Sequence, residues 1–176
     1  MPALECLQRV VLLQPDNPEA HNNLANTYKR LGKLEHALQS YERALVLHPN
    51  YAEVHSNLAV LLHDRGHYDE AATAARRAID INPHLADAYL NLADIELSRL
   101  RYAEALHWLD ALQVFAPQHP GSLTERARIL LKAERPHESA TCARQAVSAA
   151  PDHANAHNML GQVLQALGQH EEACML

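Results

Sequence analysis

Aromatic residues make up only 5% of this 176-residue chain, and it holds five glycines and three cysteines. Cys6, Cys142 and Cys174 are an odd, widely spaced set with no CxxC. That excludes a disulfide framework and a closed cysteine–histidine zinc site, and points to a reducing, cytoplasmic location. No apolar run approaches the roughly 18 residues of a membrane span, and no charged start followed by an apolar core marks a secretory leader. Basic residues are the minority, 15 against 21 acidic ones, for a net charge of −6. Without a clustered basic surface, nucleic acid is not an expected partner. Sustained period-two alternation is missing, so no sheet is expected. Also missing are a glycine-rich phosphate loop, GxSxG and HExxH. No catalytic residue, cofactor or metal is therefore assigned, and the chain reads as a non-enzyme.

What is present is alanine- and leucine-rich, with 48% hydrophobic residues, a composition that favours helix. It is also periodic. Pro15, Pro49, Pro83, Pro117 and Pro151 are evenly spaced, 34 residues apart. Ala3, Ala37, Ala71, Ala105, Ser139 and Ala173 keep the same step, as do Leu24, Leu58, Leu92, Arg126 and Leu160, each followed by a small residue. Gly32, Gly66 and Gly168 mark a turn whose other two slots hold Leu100 and Glu134. Within a period, His21, Leu24, Ala25 and Tyr28 obey i, i+3, i+4, i+7, and Ala37, Tyr41 and Ala44 do so after Gly32. Each unit is thus helix, short turn, helix, then a proline-marked turn. The division is a lone second helix in 1–17, full units at 18–51, 52–85, 86–119 and 120–153, and a partial unit at 154–176.

The order large, Leu, small, aromatic, then Ala, aromatic and Pro, here His21, Leu24, Ala25, Tyr28, Ala37, Tyr41 and Pro49, resembles the tetratricopeptide repeat. The resemblance implies an all-α, right-handed superhelical solenoid of antiparallel helix pairs, in which each unit buries its apolar face against its neighbours. The fourth unit departs most, with Arg126, Glu134 and Ser139 in the Leu, Gly and Ala slots. There, Ser122 and Glu125 predict a capping box that starts the helix late, and Arg126 is expected to lay its stem over the core with its charge in water.

Thirteen histidines raise the question of metal. His63 and His67 are four apart, but Gly66 interrupts them and a third ligand is missing, so zinc is not assigned. His21, His55 and His157 share a slot with Tyr89 and Leu123, an interchange that implies packing. The histidines of the inter-unit turns read as exposed.

The stretch "AHNNLANTY" places Asn23 away from the core anchors, and Asn57 and Asn91 occupy its slot in the next two units. Asn26 and Asp94 share that side, with Asn22 and Asn158 adjacent to the slot in their own units. Two readings compete: amides that bridge to a neighbouring helix or merely suit water, and a binding face repeated once per unit. The second is sharpened by similarity to the superhelical region of O-linked N-acetylglucosamine transferases, which implies an asparagine ladder along a concave groove. A planar amide offers donor and acceptor alike to the backbone of an extended peptide. The row is interrupted at Glu125 and Met159. A carboxylate clamp for acidic tails would need basic residues where Asn22, Asn23, Glu53, Asn57, Asp87 and Asn91 stand. The expected partner is an extended or disordered protein segment, neutral or basic, and alanine in all three slots is expected to weaken its binding while leaving the fold intact. The alternatives are the substrate-recognition arm of a larger enzyme such as a glycosyltransferase, for which a chain starting and ending in mid-unit speaks, and a self-assembling module. The apolar face of "MPALECLQRVVLL" predicts a covering neighbour, whether further units or a second chain end to end.

Overall fold

The computed structural model describes residues 2–168, with side chains from residue 4. Among the described residues there are ten helices and no strand: α1 (Pro2–Leu13), α2 (Pro18–Arg30), α3 (Leu34–Leu47), α4 (Ala52–Asp64), α5 (Tyr68–Ile81), α6 (Ala86–Ser98), α7 (Tyr102–Phe115), α8 (Pro120–Lys132), α9 (Pro136–Ala149) and α10 (Ala154–Ala166). The chain divides into two compact units, Met1–Asn91 and Leu92–Leu176, with the boundary inside α6. The tail from residue 169, where the sequence predicts a further helix start, lies outside the described residues.

In the first unit α2 pairs with α3 and α4 with α5, while α1 packs on α2 and α3 on α4. Ala25 and Ala37, both without exposed surface, stand where α2 meets α3, and their small side chains let the helices approach. Leu24, Tyr28, Tyr41, Val54 and Leu61 fill the space around them, and Leu4 joins from α1. The second unit repeats the scheme with α8 against α9 and α10 against both. Its core contains Ala127, Ala140, Ala143, Met159, Leu160, Val163 and Leu164. Ser139 fits the small slot because its buried hydroxyl donates to the Ala127 carbonyl at 2.6 Å, which satisfies the one polar group that replaces a methyl.

The turns inside each pair share one geometry. After α2, Gly32 sits at φ +70° and Lys33 N–H returns to the Tyr28 carbonyl at 2.9 Å. This closure needs a left-handed residue just past the helix. Leu100 (φ 59°) and Glu134 (φ 58°) adopt the same conformation without being glycine. Arg101 and Arg135 close those turns onto the carbonyls of Glu96 and Leu130 at 2.8 and 2.9 Å.

A second recurrent bond ties each first helix to the turn before it. Nε2 of His21, His55 and His157 donates to the carbonyls of Pro15, Pro49 and Pro151 at 2.9, 2.9 and 2.7 Å. The Tyr89 hydroxyl does the same to Pro83 at 3.0 Å. The packing role expected of this slot is therefore joined by a hydrogen bond, and the His-to-Tyr interchange follows because both rings put a donor at similar reach.

The fourth repeat corrects two expectations. Its first helix does not start late from a Ser122–Glu125 capping box. It starts at Pro120, whose ring suits the first helical position, and His119 Nδ1 accepts from Ser122 N–H at 3.2 Å. His153 caps α10 in the same way through Ala156 N–H, 3.3 Å. These two turn histidines are thus helix caps and not merely exposed. Arg126 pairs with Asp110 of α7 at 2.5 Å, so its head is bound to a carboxylate as well as lying near water.

Left-handed backbone costs about 1–2 kcal/mol in a non-glycine residue, part of which glycine returns as extra freedom in the unfolded chain. Leu100→Gly and Glu134→Gly are each expected to stabilise the chain by about 0.5–1 kcal/mol, read by urea denaturation. Destabilisation by either would show that the left-handed turn is not strained.

Candidate peptide-binding face

The asparagine row starts on α2, α4 and α6 of the first unit, and its amides are not equivalent. Asn23 is exposed. Asn57, half-buried, donates through Nδ2 to Asn22 Oδ1 at 3.2 Å. Asn91 donates to the Ser56 hydroxyl at 2.9 Å and more weakly to the Ser56 carbonyl at 3.4 Å. Each of these two side chains reaches the residue beside the slot on the preceding first helix. The amide nitrogen of each is thereby used between neighbours, once in Asn57 and twice in Asn91, while the carbonyl oxygens form no further bond among the described residues.

Asn22 is buried beside this row and lies near Tyr51. The Tyr51 hydroxyl is raised above the ordinary phenol range by burial and by the charges of Glu19 and Glu53, with the Asn22 side chain opposing. The surroundings are therefore acidic. Between α4 and the start of α6 lies a hollow of about 200 Å³ lined by Glu53, Ser56, Asn57, Val60, Asp87 and Asn91. Asn57 and Asn91 thus share one polar, acidic depression.

Asn26 belongs to a different arrangement. Its Oδ1 accepts from the Tyr41 hydroxyl at 2.5 Å, and burial lifts that hydroxyl far above its ordinary range. In the second unit the row changes character. Arg128 bonds Glu125 at 2.5 Å and also bonds Asp94. Burial leaves the Glu125 carboxyl raised although Arg128 pulls it down. Met159, the next slot, is 5% exposed and part of the core, while Asn158 is exposed. The structure thus brings Asn22, Asn57 and Asn91 together with Ser56, and ties Asn26 to the core and Asp94 to an arginine. Sequence reasoning missed Ser56 and Arg128. The signal for Ser56 was present, since it holds the Asn22 slot one repeat on.

His63 lies in the last turn of α4 and His67 precedes α5, and no group of three or more possible metal ligands occurs among the described residues. No helix among them is long and apolar enough to cross a membrane.

Models described as tetratricopeptide repeat match residues 18–51, and 56–120 with 124–174; a further one described as TPR repeat matches residues 2–32. The chain belongs to the tetratricopeptide repeat family. No match is found among curated proteins. Solved structures share its all-α fold. PilW, a type IV pilus biogenesis factor, superposes with a TM-score of 0.84 at 22% identity, over 95% of this chain and 77% of that one. TTC0263, a thermophilic TPR protein of Thermus thermophilus, gives 0.80 at 21%, over 92% and 89%. YrrB, described as a TPR protein with an unusual peptide-binding site, gives 0.68 at 19%, over 97% and 88%. At these identities the likeness shows the fold alone. Tetratricopeptide repeats are generally non-catalytic interaction modules, and protein–protein interaction is the family's common role.

The hydrogen bonds correct the expectation that alanine in all three asparagine slots leaves the fold untouched: Asn57 and Asn91 each lose a bond between neighbouring helices. Asn26→Ala should cost more, about 1–3 kcal/mol, because it orphans a buried hydroxyl. Asn23→Ala should stay within about 0.5 kcal/mol of the parent. Urea denaturation of the three single variants at positions 23, 26 and 57 checks this order. Asn26→Ala as mild as Asn23→Ala would show that the Tyr41 bond contributes nothing.

Proposed function

We propose that this chain is a protein-interaction scaffold that holds an extended or disordered segment of another protein in a concave groove, along the asparagine row. The observation that carries the reading is the half-used state of Asn57 and Asn91. The amide nitrogen of each is fixed to the preceding helix, which holds the amide plane in place, and Asn57 and Asn91, their carbonyl oxygens unused, line the acidic hollow. An amide held in this way loses little side-chain freedom on binding, and it pairs with backbone whatever the partner's side chains. Glu53 and Asp87 then favour neutral or basic segments. In this reading Asn23 extends the row at its exposed end, and Asn22 positions Asn57. Asn26 supports this face through its bond to Tyr41, while in the second unit Asp94, bound to Arg128, and the exposed Asn158 would meet a partner separately. Units at 18–51, 52–85 and 86–119 carry the row, which stops at Glu125 in 120–153, and the proposed setting is reducing and cytoplasmic, to which the free Cys6 and Cys142 are suited. The same face would serve as a substrate-recognition arm if the polypeptide also bore a catalytic domain.

A panel of capped twelve-residue peptides with basic, neutral and acidic compositions, read by fluorescence anisotropy, tests this. Basic and neutral peptides are expected to bind more tightly than acidic ones, and Glu53→Lys with Asp87→Lys should invert the order. Asn57→Ala and Asn91→Ala should each weaken binding by about two- to tenfold for peptides of unrelated sequence. Unchanged affinity in variants whose circular dichroism matches the parent would sink the reading.

A specific observation favours self-association as a second activity. On α1, Leu12 and Leu13 are 81% and 75% exposed beside the exposed Val10, a run of apolar surface that water does not favour. Sedimentation velocity should show concentration-dependent association that Leu12→Lys with Leu13→Lys abolishes. A parent chain monomeric at all concentrations would remove this second role.

A further inference from the structure

The fourth repeat lacks two bonds that other repeats carry at the same place. In the turn before a first helix, the ring at positions 21, 55, 89 and 157 donates to the proline carbonyl six residues earlier. In the first two repeats a second bond links the following second helix to that same turn, Arg43 to Asp16 at 3.1 Å and Arg77 to Asn50 at 2.8 Å, whereas the third has Ala111 in the arginine slot and keeps only the first bond. In the fourth repeat the matching positions are Leu123, Gln145 and Gln118. Leu123 has no donor, so the Pro117 carbonyl lacks the bond its counterparts receive. The two glutamines are not paired with each other. Where both bonds are missing, a cavity of about 410 Å³ opens, lined by Gln113, Pro117, Gln118, Leu123, Gln145 and Ser148.

We propose that this cavity is a docking pocket for a tyrosine side chain of a partner protein, with the ring on Leu123 and the hydroxyl donating to the Pro117 carbonyl. The chemistry of the occupant is written in the molecule's own repeats. Tyr89 already places a phenol at this slot and bonds Pro83 at 3.0 Å, and burial raises its hydroxyl, which keeps it neutral and able to donate. The volume falls within the usual range for ligand pockets, about 300–1,000 Å³. No ionised side chain lines it, so a neutral phenol enters without the desolvation cost that an imidazolium or ammonium would carry. Gln118 and Gln145 supply amide donors and acceptors for the backbone on either side of the ring, while Gln113 already accepts from Arg126 at 3.4 Å. Tyrosine suits such a site because it brings large contact area, one polar handle and few rotatable bonds. The assignment does not rest on the asparagine row, all of whose paired amides lie in the other unit.

Titration of the full chain with 4-methylphenol and with toluene, followed through the Leu123 methyl signals by NMR, tests the pocket. Saturable shifts are expected with 4-methylphenol, and binding of toluene, which has no donor, about three- to tenfold weaker. Capped Gly-Gly-Tyr-Gly-Gly should outbind its Phe counterpart by a similar factor. Leu123→Tyr supplies the ring from within and should reduce 4-methylphenol binding at least about tenfold without lowering Tm. Should that variant misfold, Gln118→Asp with Gln145→Arg restores the outer bond on the surface and should narrow the mouth, again weakening binding. Absence of shifts at Leu123, equal binding of toluene, or undiminished binding to a folded Leu123→Tyr chain would each overturn the proposal. So would self-association of the chain that Leu123→Tyr abolishes, since a second copy would then be the occupant.

Discussion

A pair of helices about thirteen residues long cannot bury its apolar stripe on itself, and every other feature of this chain follows from covering that stripe with the next pair. The small residues come first. Ala25 against Ala37, and Ala127 against Ser139, bring paired helices close enough that the flanking leucines and tyrosines interlock with the neighbouring pair. The turns must then all have one shape, since a different turn would aim the second helix elsewhere. Leu100 and Glu134 show how strong the requirement is: both accept a left-handed backbone that glycine would adopt freely.

The same constraint governs the polar groups. A hydrogen bond between successive repeats holds the stack in register, and this chain has several in parallel. Rings at the start of first helices hold the proline carbonyls, amides at positions 57 and 91 hold the residue beside the slot one helix back, and Arg43 and Arg77 hold the preceding turns. Polar groups are left without a partner where these bonds are incomplete. Asn57 and Asn91 have hydrogen-bonding capacity left over beside Glu53 and Asp87. The fourth repeat lost two of the bonds outright, and a cavity took their place.

The second unit shows how the pattern adapts when the slot residue changes. Glu125 in place of asparagine brings a half-buried carboxyl, and Arg128 answers both it and Asp94. Met159 in the next slot turns inward and joins the apolar core. Position in the repeat thus sets where a side chain begins, while its own chemistry decides whether it faces a partner helix, an ion pair or the core.

The period of 34, the helical spacing within it and the turn glycines were enough to indicate an all-helical repeat and its family, because hydrophobic periodicity depends only on local geometry. Hydrogen-bond partners were not legible in this way. Tyr41 meets Asn26 fifteen positions away and Asn57 meets Asn22 thirty-five away, and a bond of about 3 Å tolerates little error in how one helix sits on the next. Local patterns could also mislead: Ser122 and Glu125 have capping-box spacing, yet Pro120 and His119 start the helix earlier and leave Glu125 to Arg128. The sequence alone therefore determined the repeat, its period and the face on which the asparagines stand. Only the tertiary structure decided which amides are committed between helices and which retain capacity for a partner, because that depends on the packing of helices far apart in the chain.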